Sequence, residues 1–96
     1  MAAGAVYSGG THNVANNSSL TIQPSGAAEA TIHNIYYAGA VQLIYTNGTV
    51  AITFDSDTGA GARLAMCYHV NNTYYLMVKN VSGGAIDIAY DGMETA

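Results

Sequence analysis

Residues 40–54 read Ala40-Val41-Gln42-Leu43-Ile44-Tyr45-Thr46-Asn47-Gly48-Thr49-Val50-Ala51-Ile52-Thr53-Phe54. An Asn-Gly pair between two apolar, β-branched runs is the strongest short-range hairpin signal, because a two-residue turn needs the positive φ that Asn and Gly adopt cheaply. With Asn47-Gly48 as the turn, Thr46 faces Thr49, Tyr45 faces Val50, Leu43 faces Ile52 and Val41 faces Phe54. One face of the hairpin is then wholly apolar, so turn chemistry and hydrophobic pattern agree.

Outward from this hairpin the period of two persists. Leu20 and Ile22 alternate with Thr21 and Gln23 until Pro24-Ser25-Gly26 breaks the run. Residues 29–37 form a second β-branched and aromatic stretch. After Phe54, residues 55–61 read as a polar, Gly-containing loop, and strands follow at 62–70, 73–80 and 85–90. No helical period competes. About seven short strands predict an all-β antiparallel sandwich or barrel, with a jelly roll among the arrangements allowed. Three-residue loops at Asn71-Asn72-Thr73 and Val81-Ser82-Gly83 align Val70 with Tyr74, Leu76 with Ile88 and Val78 with Ile86. The C-terminal third is therefore expected to be a three-stranded meander. Its core face would carry Leu64, Met66, Tyr68, Val70, Tyr74, Leu76, Val78, Ile86, Ile88 and Tyr90. Residues 1–18, rich in Ala, Gly, Ser and Asn, read as an arm or loose first strand ahead of a single domain over 19–96.

Charge narrows the function classes. Only 8% of the residues are charged, with 2 Lys and Arg against 6 Asp and Glu. A typical soluble domain carries about 25%. Nucleic-acid binding by counterion release needs several basic residues, and membrane crossing by a helix needs a long apolar run; neither is expected. The N-terminus has no basic region and apolar core of the secretory type, and Cys67 is the lone cysteine, so a reducing compartment is expected.

No motif assembles convergent catalytic groups. Asp55-Ser56-Asp57-Thr58-Gly59 has the alternating oxygens that open a calcium loop, but not its closing Glu, and reads as a solvated loop. Cys67 and His69 sit two apart on one strand face, which is the spacing of a thiol and a base but equally of a small hydrophobe beside a polar residue. His12, His33 and His69 are far apart in sequence and read as surface or interface polars. The five Asn-x-Ser/Thr sequons, at Asn16, Asn17, Asn47, Asn71 and Asn80, read as turn chemistry. No enzyme activity, metal or cofactor is expected.

The tyrosines carry more information. There are 8, against 1 Phe and no Trp, and Tyr36-Tyr37 and Tyr74-Tyr75 are adjacent pairs. In a strand one member of each pair must leave the core face. The second faces of the expected sheets are only weakly polar, which a monomer usually avoids. Tyr36, Tyr37, Tyr75, Met77, His33 and His69 are the expected interface residues.

The segment Tyr74–Gly92, with Lys79-Asn80-Val81-Ser82-Gly83 ending an apolar strand before a short return strand, resembles the C-terminal hairpin of small β-rich phage virion proteins. That group includes capsid decoration (cement) proteins and tail or fibre components, often trimeric. The resemblance covers about a quarter of the chain and transfers no site residues. It implies a non-enzymatic virion protein, made in the host cytoplasm, that self-associates as a trimer and binds the major capsid protein or another virion component. A carbohydrate- or receptor-binding module of a tail or fibre is the alternative.

Overall fold

A computed structural model describes residues 4–95; the side chains of residues 10–12, His12 among them, lie outside that description. The chain forms nine strands and no helix in that span: β1 (Val6–Val14), β2 (Ser19–Ile22), β3 (Glu29–Tyr37), β4 (Val41–Thr46), β5 (Ala51–Asp57), β6 (Gly61–Arg63), β7 (Tyr68–Asn71), β8 (Tyr75–Asn80) and β9 (Ile86–Glu94). They make two antiparallel sheets. The first runs β1-β9-β3-β6, with β7 also on β3; the second runs β2-β8-β4-β5. All-β sandwich architecture is therefore present.

The order of strands has one origin. The chain turns back on itself at its middle and continues as one long ribbon. Thr46 pairs with Ala51, Tyr37 with Gly61, Ile22 with Leu76 and Val14 with Ile86. The numbers in these pairs add to 97, 98, 98 and 100, so nearly every strand pairs with its mirror image about Gly48-Thr49. The ribbon then rolls up, laying β9 beside β3 and β8 beside β4. With β6 and β7 counted as one interrupted strand, this is an eight-stranded jelly roll. Val6–Val14 is the edge strand β1, so this part of the N-terminal stretch is built into a sheet.

The central hairpin departs from its expected register by two residues. The two-residue turn is Gly48-Thr49, held between Asn47 and Val50, whose N–H and C=O pair at 3.3 Å. Asn47 sits one place earlier than expected because its side-chain oxygen accepts the N–H groups of Thr49 and Val50 at 3.0 and 2.8 Å. Gly48 takes the positive φ, 89°. A two-residue shift preserves which face each side chain occupies. The continuous apolar ladder does not form, however. A bulge between Leu43 and Ile44 leaves Phe54 as the extra residue, so Val41 faces Asp57 rather than Phe54.

The expected C-terminal meander is absent. β7 pairs with β3, β8 with β2 and β4, and β9 with β1 and β3. Period-two alternation assigns a face and not a neighbour, and consecutive strands here alternate between sheets. The predicted strand at 62–70 splits because Ala65 adopts φ 56°. Its N–H goes to the Asn34 side chain at 3.0 Å, and that of Met66 to the His33 carbonyl at 2.8 Å. Opposite, β3 bulges between Ile32 and Asn34 against β9. There Gly92 lies so close to Ile32 that an added Cβ would sit 2.8 Å from its Cα.

The core lies between the sheets and holds Ile22, Ile32, Ile35, Leu76, Val78 and Ile88, each at most 2% exposed, with Val41, Leu43 and Val70 around them. From the expected core face, Leu64 and Tyr74 are instead 59% and 47% exposed. Asn80 is fully buried and satisfied. Its amide donates to the carbonyls of Val14 and Gly84 at 2.8 and 2.7 Å, and its oxygen accepts the N–H and hydroxyl of Ser82. The Lys79–Gly83 motif thus acts as an internal brace where β8 leaves its sheet.

Candidate interaction surface

The sandwich is closed at one half of the β5 edge and open at the other. The closed half is built by Arg63 of β6. Its guanidinium meets Asp55 at 2.7 Å and Asp57 at 3.4 Å, and donates to the Tyr37 hydroxyl at 3.0 Å. Tyr37 in turn donates to Asp57 at 2.7 Å. These contacts join the two sheets, because β6 and β3 belong to one and β5 to the other. The hydrogen bond from Arg63 holds the Asp55 carboxyl below its usual range, and that from Tyr37 does the same for Asp57. Burial, then the Asp57 hydrogen bond, pushes Tyr37 up to about 12. The Asp55–Asp57 segment is accordingly strand and not a solvated loop, with both carboxylates engaged by neighbours.

The open half is apolar. From the bulged Phe54 the chain runs back toward the turn through Ile52 and then Val50, just before β5, at 41%, 58% and 59% exposure. Between this edge and β7 lies a cleft of about 480 Å³ lined by Tyr45, Ile52, Phe54, Cys67, Tyr68, His69 and Leu76. Phe54 and Tyr68 meet across it with ring centroids 5.5 Å apart. Tyr45 stacks on Tyr74 at 6.3 Å beside a smaller hollow that reaches the turn. Burial raises the Tyr68 phenol above its ordinary range. Five large apolar side chains that line the cleft or the hollow, Tyr45, Val50, Ile52, Phe54 and Tyr74, are exposed. Exposed apolar patches of this kind are uncommon on small monomeric domains, which makes this the candidate surface.

The residues expected at an interface do not form one surface. Tyr37 is a correction: it is 4% exposed and belongs to the core and the Arg63 clasp. The pleat sends alternate residues to opposite sides, and in β3 the inward member of the Tyr36-Tyr37 pair is the second. Tyr36 is on the outer face of the first sheet, its hydroxyl bonded to Asp91 at 2.9 Å. Tyr75 and Met77 are half-buried on the second sheet, opposite Thr46 and Ile44. His33 is half-buried at the β3 bulge. His69 alone borders the cleft, where its Nε2 lies 3.7 Å from the Cys67 sulfur. No carboxylate hydrogen-bonds to the His69 ring among the described residues, and no group of three or more His, Cys, Asp or Glu there could hold a metal ion. Among the described residues no helix is long and apolar enough to cross a membrane.

Sequence reading missed Val50, Ile52 and Phe54 as surface residues because their alternation is that of a buried strand. The one available signal was position: they follow the mid-chain turn and precede the two acids.

No family model matches the chain. Among curated proteins it is similar to Gp30 of Haloferax tailed virus 1, at 34% identity over 107 residues that span 97% of this chain and 91% of that protein.

Proposed function

The chain belongs to the family of the tailed-virus protein Gp30, and on that premise we propose that it is a non-enzymatic structural protein of a virion, most specifically a capsid decoration protein. In this reading it self-associates and docks on the major capsid protein, adding buried apolar contacts to the lattice. The observation that carries the proposal is the apolar β5 edge in a chain with 8% charged residues. Such an edge is an aggregation hazard on a free monomer, and an assembly removes it. The jelly roll supports the reading as an architecture used in capsid proteins, although the fold also serves lectins. The cleft favours the first use. A sugar site needs convergent hydrogen-bonding groups beside its aromatic rings, and here the lining is aromatic and aliphatic apart from His69, Cys67 and tyrosine hydroxyls.

Immunogold labelling of particles from the virus encoding this chain tests the proposal. Regular labelling of the head is expected. Label confined to the tail tip favours the receptor-binding alternative, and absence from purified particles overturns both.

A further inference from the structure

We propose that two copies of this chain join edge to edge through β5, in antiparallel register with Ile52 on the two-fold axis. The inference deepens the self-association proposed above and rests on it.

Backbone chemistry selects the register. β5 ends its sheet, and among the described residues its one neighbour is β4. Asn47 and Val50 form a hydrogen-bonded pair. Alternation along an antiparallel ladder makes Tyr45/Ile52 the next such pair and turns the N–H and C=O groups of Ala51 and Thr53 away from β4. A second strand can pair only with those outward groups. With Ile52 opposite Ile52, Ala51 of each copy meets Thr53 of the other, and all four outward pairs of groups are used. A slip of one residue would meet groups already bonded to β4.

Side chains select the same register. Val50-Ala51-Ile52-Thr53-Phe54 alternates large apolar with small residues and reads the same in either direction. Around Ile52 the large residues meet large and the small meet small, which an isologous two-fold contact requires. Residues 47–54 carry no charge, which suits a contact between chains of net charge -4. The Asp55 of one copy lies opposite Thr49 of the other. The two Asp55 residues are then about six residues apart along the ribbon, roughly 20 Å at the strand rise, beyond the screening length at physiological salt. Longer slips that bring Asp55 and Asp57 of the two copies together place like charges face to face. The resemblance to trimeric decoration proteins implies threes; the β5 edge implies pairs.

Three proteins measured by size exclusion with light scattering test this. The wild type is expected at twice the 9.9 kDa chain mass across the micromolar range. Thr53→Pro removes an outward N–H that β4 does not use and is tolerated on an edge strand; it is expected at the single-chain mass with an unchanged far-UV spectrum. Ile52→Cys in a Cys67→Ser background is expected to form a disulfide-linked pair on mild oxidation. Facing residues in a non-hydrogen-bonded antiparallel pair have Cα atoms about 4.5 Å apart, within disulfide reach. Thr49→Cys in the same background is expected to stay unlinked. This cross-link keeps the test decisive if Thr53→Pro does not fold. An oligomer that survives Thr53→Pro and does not link through position 52 overturns the β5 pairing while leaving self-association standing. A wild-type monomer throughout overturns both.

Discussion

Replacing Asn80 by Ala should destabilise the fold by about 3 kcal/mol. The amide is fully buried and makes four hydrogen bonds. Each ordinary hydrogen bond contributes about 0.5–1.5 kcal/mol net, and stranding a buried acceptor costs about 1–3 kcal/mol. The Val14 carbonyl is the acceptor stranded in the interior, whereas the Gly84 carbonyl and the Ser82 groups lie toward solvent and can turn to water. One stranded acceptor with one or two lost net bonds gives the figure of about 3 kcal/mol. For a domain of this size that is a fall of roughly 12–24 °C in Tm. It remains below the 5–15 kcal/mol typical of whole domains, so the variant should be weakened but folded.

Urea unfolding at neutral pH is the assay, with the slope of the transition checked for constancy. Asn80→Asp supplies a second signature. A carboxylate would set acceptors against the carbonyls of Val14 and Gly84, so its pKa must rise in the folded state. A raised carboxyl pKa means the folded form binds the proton more tightly, so this variant should gain stability relative to wild type as pH falls. Ser82→Ala should cost little in the Asn80→Ala background, because its hydroxyl bonds to the same amide. An Asn80→Ala variant within about 1 kcal/mol of wild type would refute the brace.

The Arg63 clasp predicts acid sensitivity. Asp55 and Asp57 have lowered folded pKa values, so their contribution is full above the ordinary carboxylate range and disappears as pH falls through the lowered values. Melting temperature should drop below about pH 4, and the drop should be shallower in Asp55→Asn; an equal drop in both would count against the clasp. Tyr37→Phe removes a buried hydroxyl held by Asp57 and Arg63 and should cost about 1–2 kcal/mol. Tyr36→Phe removes an exposed one and should be close to neutral by the same melts.

What the sequence could and could not tell divides along a physical line. Face assignment was legible: Val41, Leu43, Val70, Leu76, Val78 and Ile88 all lie inward as alternation predicts. Pairing was not. A strand with one apolar face satisfies that face against either sheet, so adjacency in sequence was a poor guide to β7, β8 and β9. A turn at this point of the chain was legible, but its position was off by one residue, because an Asn side chain that accepts two backbone N–H groups takes the position before the turn and not within it. Edge status was the least legible property. Ile52 and Leu43 have the same chemistry and the same phase, yet one is 58% and the other 2% exposed. The difference is whether a further strand follows, and no local pattern records that.

That difference follows from the ribbon. Rolling a long hairpin covers β9 with β3 and β8 with β4, and leaves β5 as the outer strand at the tip. Extra residues fall on both limbs of the roll, so paired numbers stand at 97 beside the turn and at 99 to 100 along β1. The tip needs closure from outside its own ladder. The chain has 2 basic residues, and Arg63 closes the acidic half of β5 against the first sheet. The uncharged half, Val50 to Phe54, receives no such tie and keeps a free row of backbone groups beside an apolar cleft. A sequence under pressure to remain monomeric has a simple remedy, a Lys or Pro at Ala51 or Thr53. Both positions are instead small and uncharged, which keeps the edge open to a further strand.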